Sequence, residues 1–238
     1  MNMKRWILFF MALLPMGLMA QKVIINDPNV SPRTVGAFHS IRVTNGIDLF
    51  LSQDETESLA VSALKEEFRD RIKTEVEDGV LKISFDNSRF SFSGPMKLRA
   101  YIGFKELRRI VASGASDVIA TNTINVKDLS IEMSGASDFR GTLDVGSFTA
   151  KLSGASDAKL SGKASSVNID ASGASDVKAF ELVTDFCNVE SSGASDVQIT
   201  VNKELNAKAS GASDIYYKGE AVIRSMQASG ASSVKKRN

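Results

Sequence analysis

Seven copies of one pentapeptide govern what this chain can fold into. Ser-Gly-Ala-Ser-Asp occupies 113–117, 134–138, 153–157, 172–176, 192–196 and 210–214, and a seventh copy at 229–233 ends in Ser233. The repeated glycines are Gly114, Gly135, Gly154, Gly173, Gly193, Gly211 and Gly230, at separations of 21, 19, 19, 20, 18 and 19 residues. A period this regular marks a stacked-repeat architecture in which each unit touches only its neighbours.

The residues between copies identify the kind of stack. Two positions before each glycine stand Ala112, Met133, Leu152, Ala171, Ser191, Ala209 and Ala228; four before stand Ile110, Ile131, Ala150, Ile169, Val189, Ala207 and Met226. Six before, the middle copies carry Leu129, Phe148, Val167, Cys187 and Leu205, whereas the outermost carry Arg108 and Arg224. The intervening third position holds Val111, Glu132, Lys151, Asp170, Glu190, Lys208 and Gln227. Alternation at period two is a strand with one buried face. Four after the glycine, Val118, Phe139, Ala158, Val177, Val197, Ile215 and Val234 begin another inward strand.

One such coil cannot enclose a core. Coils stacked in parallel turn these columns into continuous internal ladders, and the rest of each coil supplies the crossover that parallel strands require. The gaps lack the 3.6-residue period of a helical solenoid, and a propeller blade would need about forty residues. The expected fold is all-β, a right-handed parallel β-helix with 18–21 residues per coil, its hand following from the rule for parallel crossovers. The glycines are expected at corners needing a positive φ or close backbone approach. Each Asp is expected to cap its own turn with its charge turned to solvent.

Residues 21–112 lack the pentapeptide but still read as β and are expected to form irregular first coils or a cap, with 36–234 one continuous domain and 113–234 the regular coils. Ile41, Val43, Ile47, Leu49 and Leu51 alternate around Asn45-Gly46; Ile72–Phe85 alternates around Asp78-Gly79, a hairpin signal. Leu64–Arg71 reads as a short helical or irregular link, and Lys97–Ile102 as a strand leading into the first repeat.

Ahead of this lies a leader. Lys4 and Arg5 precede the apolar run Trp6–Leu14, which Pro15 and Gly17 break, and Ala20 precedes Gln21. That order is a secretory signal peptide spanning 1–20, and the run is too short to cross a bilayer. No later stretch reads as a transmembrane segment, and no cysteine follows the leader to take a lipid anchor. The chain has 29 basic and 28 acidic residues, and removing Lys4 and Arg5 leaves one net negative charge. This balance lacks the basic field of a nucleic-acid binder. Cys187 is the sole cysteine, so an exported chain of this kind must be held by packing and backbone bonds rather than an internal disulfide.

At this point the chain resembles the auto-transporter adhesin head family, the GIN domain, of exported Gram-negative proteins. The residues that carry the resemblance are Phe38-His39-Ser40-Ile41-Arg42-Val43, Asn45-Gly46-Ile47-Asp48-Leu49, Val76-Glu77-Asp78-Gly79-Val80-Leu81-Lys82-Ile83 and the Ser-Gly-Ala-Ser-Asp coils, together spanning roughly 36–234. The resemblance implies a β-helix, export to the periplasm, cell surface or medium, and adhesion. It brings no catalytic residues. The sequence closes at Lys235-Lys236-Arg237-Asn238 with no translocator barrel, so passage through an outer membrane is expected to need other machinery.

The most suggestive chemistry is the column Asp117, Asp138, Asp157, Asp176, Asp196 and Asp214. Carboxylates on adjacent coils, about 4.8 Å apart, repel by about 0.9 kcal/mol even in bulk water. Calcium would relieve this but wants six to eight oxygen ligands, and the turn offers few. The column is therefore read as structural, with no metal site. Cys187 falls on an inward column and reads as core. His39, the only histidine, cannot complete a multi-histidine metal site. Phe90 and Phe92 alternate with serines and read as strand packing. No catalytic or cofactor-binding residue is assigned. Coil lengths leave no room for the long loops that build a groove enzyme on a solenoid. The expected function is an exported binding module for a surface glycan or protein; the alternatives are a polysaccharide-processing β-helix enzyme and a structural spacer. The last coil, around Ile223, Met226 and Ala228, is expected to present an unpaired edge open to three kinds of cover: earlier chain such as Lys22–Asn26, a partner, or a second copy in at most a weak homodimer, which Lys235, Lys236 and Arg237 oppose.

Overall fold

The structure, a computed structural model, describes residues 27–88 and 94–238. The expected leader, residues 1–20, the segment Lys22–Asn26 and the Phe90–Phe92 pair lie outside the described residues. In chain order the elements are β1 (Ser31–Arg33), β2 (Ser40–Val43), β3 (Asp48–Gln53), β4 (Ser58–Ser62), the one-turn helix α1 (Glu66–Arg69), β5 (Ile72–Glu77), β6 (Val80–Phe85), β7 (Arg99–Phe104), β8 (Arg109–Ala112) and β9 (Val118–Ala120). The repeats carry β10 (Ile124–Met133), β11 (Phe139–Leu152), β12 (Ala158–Ala171), β13 (Val177–Ser191), β14 (Asp196–Ala209), β15 (Asp214–Lys218), β16 (Val222–Ala228) and β17 (Ser233–Lys236). The strands all belong to one continuous sheet wound into a β-solenoid of about seven turns.

Parallel pairing aligns the columns: Ile131 opposes Ala150, Ala150 opposes Ile169, Ile169 opposes Val189 and Val189 opposes Ala207. These residues are buried, while Lys151, Asp170, Glu190 and Lys208 between them face out. The long strands bend where the alternation slips. In β12, Ala158 and Leu160 are buried, then Ala164, then Val167, Ile169 and Ala171, with outward residues at 161–163 and 165–166. Each such coil thus has three sides, and the pentapeptide turns the corner from the third side to the first side of the next coil.

The corner is held by bonds between coils. All seven glycines have φ between +76° and +89°, where any residue with a Cβ is disfavoured. From the second copy on, the following alanine amide donates to the glycine carbonyl one coil away, as Ala155 does to Gly135 at 2.8 Å and Ala174 to Gly154 at 2.7 Å. The second serine of the first six copies is fully buried, and in the middle coils it serves a ladder of its own: Ser137 N–H donates to Ser156 Oγ and Ser156 N–H to Ser175 Oγ, both at 3.3 Å. A serine is tolerated inside the stack because its hydroxyl satisfies an amide that would otherwise be buried unpaired.

The N-terminal region departs from chain order. The β2–β3 coil turns at Asn45 and Gly46, both with positive φ, as its alternation predicts. It lies between two later coils: β2 pairs with β6 on one edge and β8 on the other, and β3 with β7 and β9. The strand expected at 97–102 is β7, and along the chain it leads through β8 into the first repeat; in space, however, the 40–53 coil is interposed between the two, with Ile41 opposite Ile110 and Leu49 opposite Val118. Beyond β6 and β7 the pairing becomes antiparallel, with β5 on β6, β4 on β7 and β1 on β4. This antiparallel layer, with Phe68 of α1 buried beneath it, closes that end of the apolar stack. Asp27 pins the layer. Burial acts to raise its pKa, but bonds from the Ser62 hydroxyl, the Asn29 amide and Tyr101, with Arg99 nearby, outweigh that and hold it below the usual carboxylate value.

Candidate functional site

The aspartate column is real but does not cap its own turns. The carboxylates bond between coils: Asp157 N–H donates to Asp138 Oδ1 at 3.2 Å, Asp176 N–H to Asp157 Oδ1 at 3.2 Å and Asp214 N–H to Asp196 Oδ1 at 3.1 Å. Nor are the charges simply turned to solvent. Arg140 lies 3.4 Å from Asp138, and Lys178 lies 3.8 Å from both Asp157 and Asp176. The physical reason for both corrections is stacking. A corner repeated at one strand spacing brings the carboxylates of Asp138, Asp157 and Asp196 to the next coil's amide, and Arg140 and Lys178, two positions on from Asp138 and Asp176, bring cations beside them. The column also has a member not assigned from sequence. Asp48 sits at the Asn45-Gly46 corner and accepts from Asp117 N–H at 3.4 Å. Its burial, together with the charge of Asp117, raises its pKa despite that bond. Among the described residues no group of three or more His, Cys, Asp or Glu side chains is placed to hold a metal ion.

Cys187 is buried on its inward column, and desolvation pushes its thiol up to about 12, so it has no thiolate character at neutral pH. His39 is exposed at the entry to β2, its Nδ1 3.0 Å from Ser40 Oγ and its ring over the Gly79 turn. Neither joins a catalytic grouping.

Two surface features escaped the sequence reading. The first is the outer face of the third side, an open groove of about 590 Å³. Thr149, Asn168, Asn188, Asn206 and Ser225 run along it in one row, and Lys151, Asp170, Glu190, Lys208 and Gln227 in the next. The asparagines stand in register, and Asn206 Nδ2 donates to Asn188 Oδ1 at 2.8 Å. The signal was available: counting five residues back from each of the last five repeat glycines reads Thr, Asn, Asn, Asn, Ser. The second feature is a bulge. The coil between Gly173 and Gly193 is two residues longer than the next, and the pairing of β13 with β14 slips between Ala179 and Val183 and again between Thr184 and Phe186. The slack leaves Val183 40% and Phe186 45% exposed. Lys203 lies over the Phe186 ring and Lys218 over that of Phe180.

No described helix is long and apolar enough to cross a membrane. A family model described as "putative auto-transporter adhesin, head GIN domain" matches residues 37–221. No curated protein matches the sequence. Among solved structures, a putative adhesin from Bacteroides fragilis NCTC 9343 superposes with a TM-score of 0.81 at 22% identity, covering 87% of this chain and 96% of that one. A putative lipid binding protein from Parabacteroides distasonis ATCC 8503 gives 0.68 at 19% identity over 90% and 98% of the two chains. A putative adhesin from Parabacteroides merdae ATCC 43184 gives 0.65 at 19% over 89% and 97%. At these identities the likeness is one of fold.

Proposed function

The chain belongs to the head GIN-domain family of putative auto-transporter adhesins, and from that premise we propose that it is an exported, non-enzymatic binding module whose contact surface is the asparagine-lined third side. The observation that carries the reading is the row Asn168, Asn188, Asn206, flanked by Lys151, Asp170, Glu190 and Lys208 on an open face. A carboxamide both donates and accepts, and here the groups recur at the strand spacing of about 4.8 Å, comparable to the length of one sugar ring. A linear glycan lying along the solenoid axis would meet the same pair of functions at each step. A hydrolase would instead need an acid shielded from water between converging walls. Asp170 and Glu190, the carboxylates on this face, are exposed to solvent along an open, shallow groove, which supports binding over catalysis.

A glycan array probed with the purified protein and with Asn188→Ala tests the reading, with Lys159→Ala on the first side as control. Retention of one glycan class, lost in Asn188→Ala and kept in Lys159→Ala, is the expected result. Absence of retention, together with no capture of envelope proteins, would favour a spacer. Export is tested separately by mass spectrometry of the native protein, which should begin at Gln21.

A further inference from the structure

The two ends of the solenoid differ. The antiparallel layer covers one. At the other, β16 pairs only with β14 and β17 only with β15, so each has one edge without a strand partner among the described residues. In every lower coil the carbonyl two residues before the glycine receives an amide from the next coil, as Met133 does from Ser153 and Ala209 from Ser229. Ala228, the equivalent carbonyl of the last coil, receives none among the described residues. Val222 and Met226 are 56% and 45% exposed, although Met226 stands in the column that buries Ile131, Ile169 and Val189 below it.

We propose that this edge is a docking site for an extended acidic segment of a partner protein, added as one further strand. An unpaired edge above an apolar row supplies both main-chain bonds and pockets for alternate side chains, the two parts of recognition by strand addition. Charge selects the partner. Residues 222–238 carry Arg224, Lys235, Lys236 and Arg237 and no acid; Arg224 is paired with Glu204 at 2.6 Å and Lys236 with Glu220 at 3.3 Å, which leaves Lys235 and Arg237 as the cations of this end with no ion pair among the described residues. A second copy of this chain would bring the same cations against themselves, whereas an acidic strand meets opposite charge. The seventh pentapeptide points the same way. Its Ser233 replaces the aspartate of all six lower copies, and its hydroxyl donates down to Asp214 Oδ1. The one corner that faces outward along the axis therefore presents no carboxylate to repel an incoming acidic segment.

The test uses fluorescent peptides of about six residues, an ordinary strand length, alternating valine with glutamate or valine with lysine, and a third with a central proline. Anisotropy should show the Val/Glu peptide binding, the Val/Lys peptide failing, and the proline peptide weakened because it lacks a main-chain donor. The double variant Lys235→Glu, Lys236→Glu should lose roughly tenfold or more in affinity for Val/Glu and gain affinity for Val/Lys, with an unchanged circular dichroism spectrum. Binding indifferent to peptide charge, or no binding, overturns the proposal. So does light scattering that reveals a concentration-dependent dimer from which the peptide is excluded, since the second copy is then the occupant.

Discussion

A pair of glycine substitutions separates the two constraints that act at the corners. Gly154 has φ +81°, and a Cβ added there would lie 2.5 Å from Gly135 O and 3.0 Å from Gly135 N. Both are backbone atoms of the adjacent coil and cannot swing aside. Gly46 has φ +70°, but its added Cβ would meet nothing nearer than Ala115 O at 3.7 Å, an ordinary contact. Alanine at Gly46 therefore bears the left-handed conformation alone, a cost of about 1–2 kcal/mol. Alanine at Gly154 bears that and also overpacking in a stack that must separate locally, about 1–3 kcal/mol more. The expected loss is about 2–5 kcal/mol for Gly154→Ala. At roughly 2–4 °C per kcal/mol for a domain of this size, its melting point should fall clearly further than that of Gly46→Ala. Thermal unfolding followed by circular dichroism gives the ranking, and hydrogen exchange should place the loosening at Ala155 and Ala174, the amides of the glycine ladder nearest the change. Equal melting points would mean that the glycines answer only to φ and that close stacking of the corners is not a constraint.

Three further outcomes follow from the same geometry. Ile169 is 1% exposed, so Ile169→Asp should destabilise by several kcal/mol through an unpaired buried charge, whereas Lys151→Asp on the outward column should be nearly silent in the same melt. Because amides and cations already serve the aspartate column, melting with EDTA and with millimolar calcium should agree within about a degree or two; a large calcium-dependent rise, lost in Asp157→Asn, would overturn that account. Asp48 has a raised pKa, so it binds its proton more tightly folded than unfolded, and its contribution to stability falls as pH rises through the interval from the unfolded to the folded value. Asp48→Asn keeps the acceptor for Asp117 N–H and removes the charge. The variant should be more stable than the parent at pH 7, with the advantage vanishing below the unfolded aspartate pKa; an advantage of equal size at both pH values would count against it.

The regular coils were legible because their information is local and repeated. Ile131, Ile169 and Val189 each sit at a fixed distance from a glycine, and the period states which residues become neighbours. The nested coil was not legible for the opposite reason. Alternation at Ile41 and Leu49 reveals a strand with one buried face but carries no sign of its partner, and the partners Ile110 and Val118 lie 69 residues away. The hairpin at Asp78-Gly79 could be read because its turn chemistry is contiguous; the antiparallel pairing of β4 with β7 could not. The aspartates were correctly placed in a column, but their partners were misassigned because single-turn reasoning looks along the chain and the bonds run across it. The asparagine row was missed because outward positions in a solenoid carry no burial requirement, so polar residues there look interchangeable until stacking shows Asn206 bonded to Asn188.

The proposed contact face can be tested without knowing its ligand, because the buried, high-pKa thiol of Cys187 leaves an introduced surface cysteine as the reactive one. Asn188→Cys on the third side and Lys159→Cys on the first are each coupled to a maleimide-linked polyethylene glycol chain. Binding of the fluorescent proteins to an envelope fraction is then measured before and after coupling. Polymer at position 188 should abolish binding and polymer at position 159 should leave it intact. Loss on coupling at 159 with retention at 188 would contradict the assignment of the asparagine face as the binding surface.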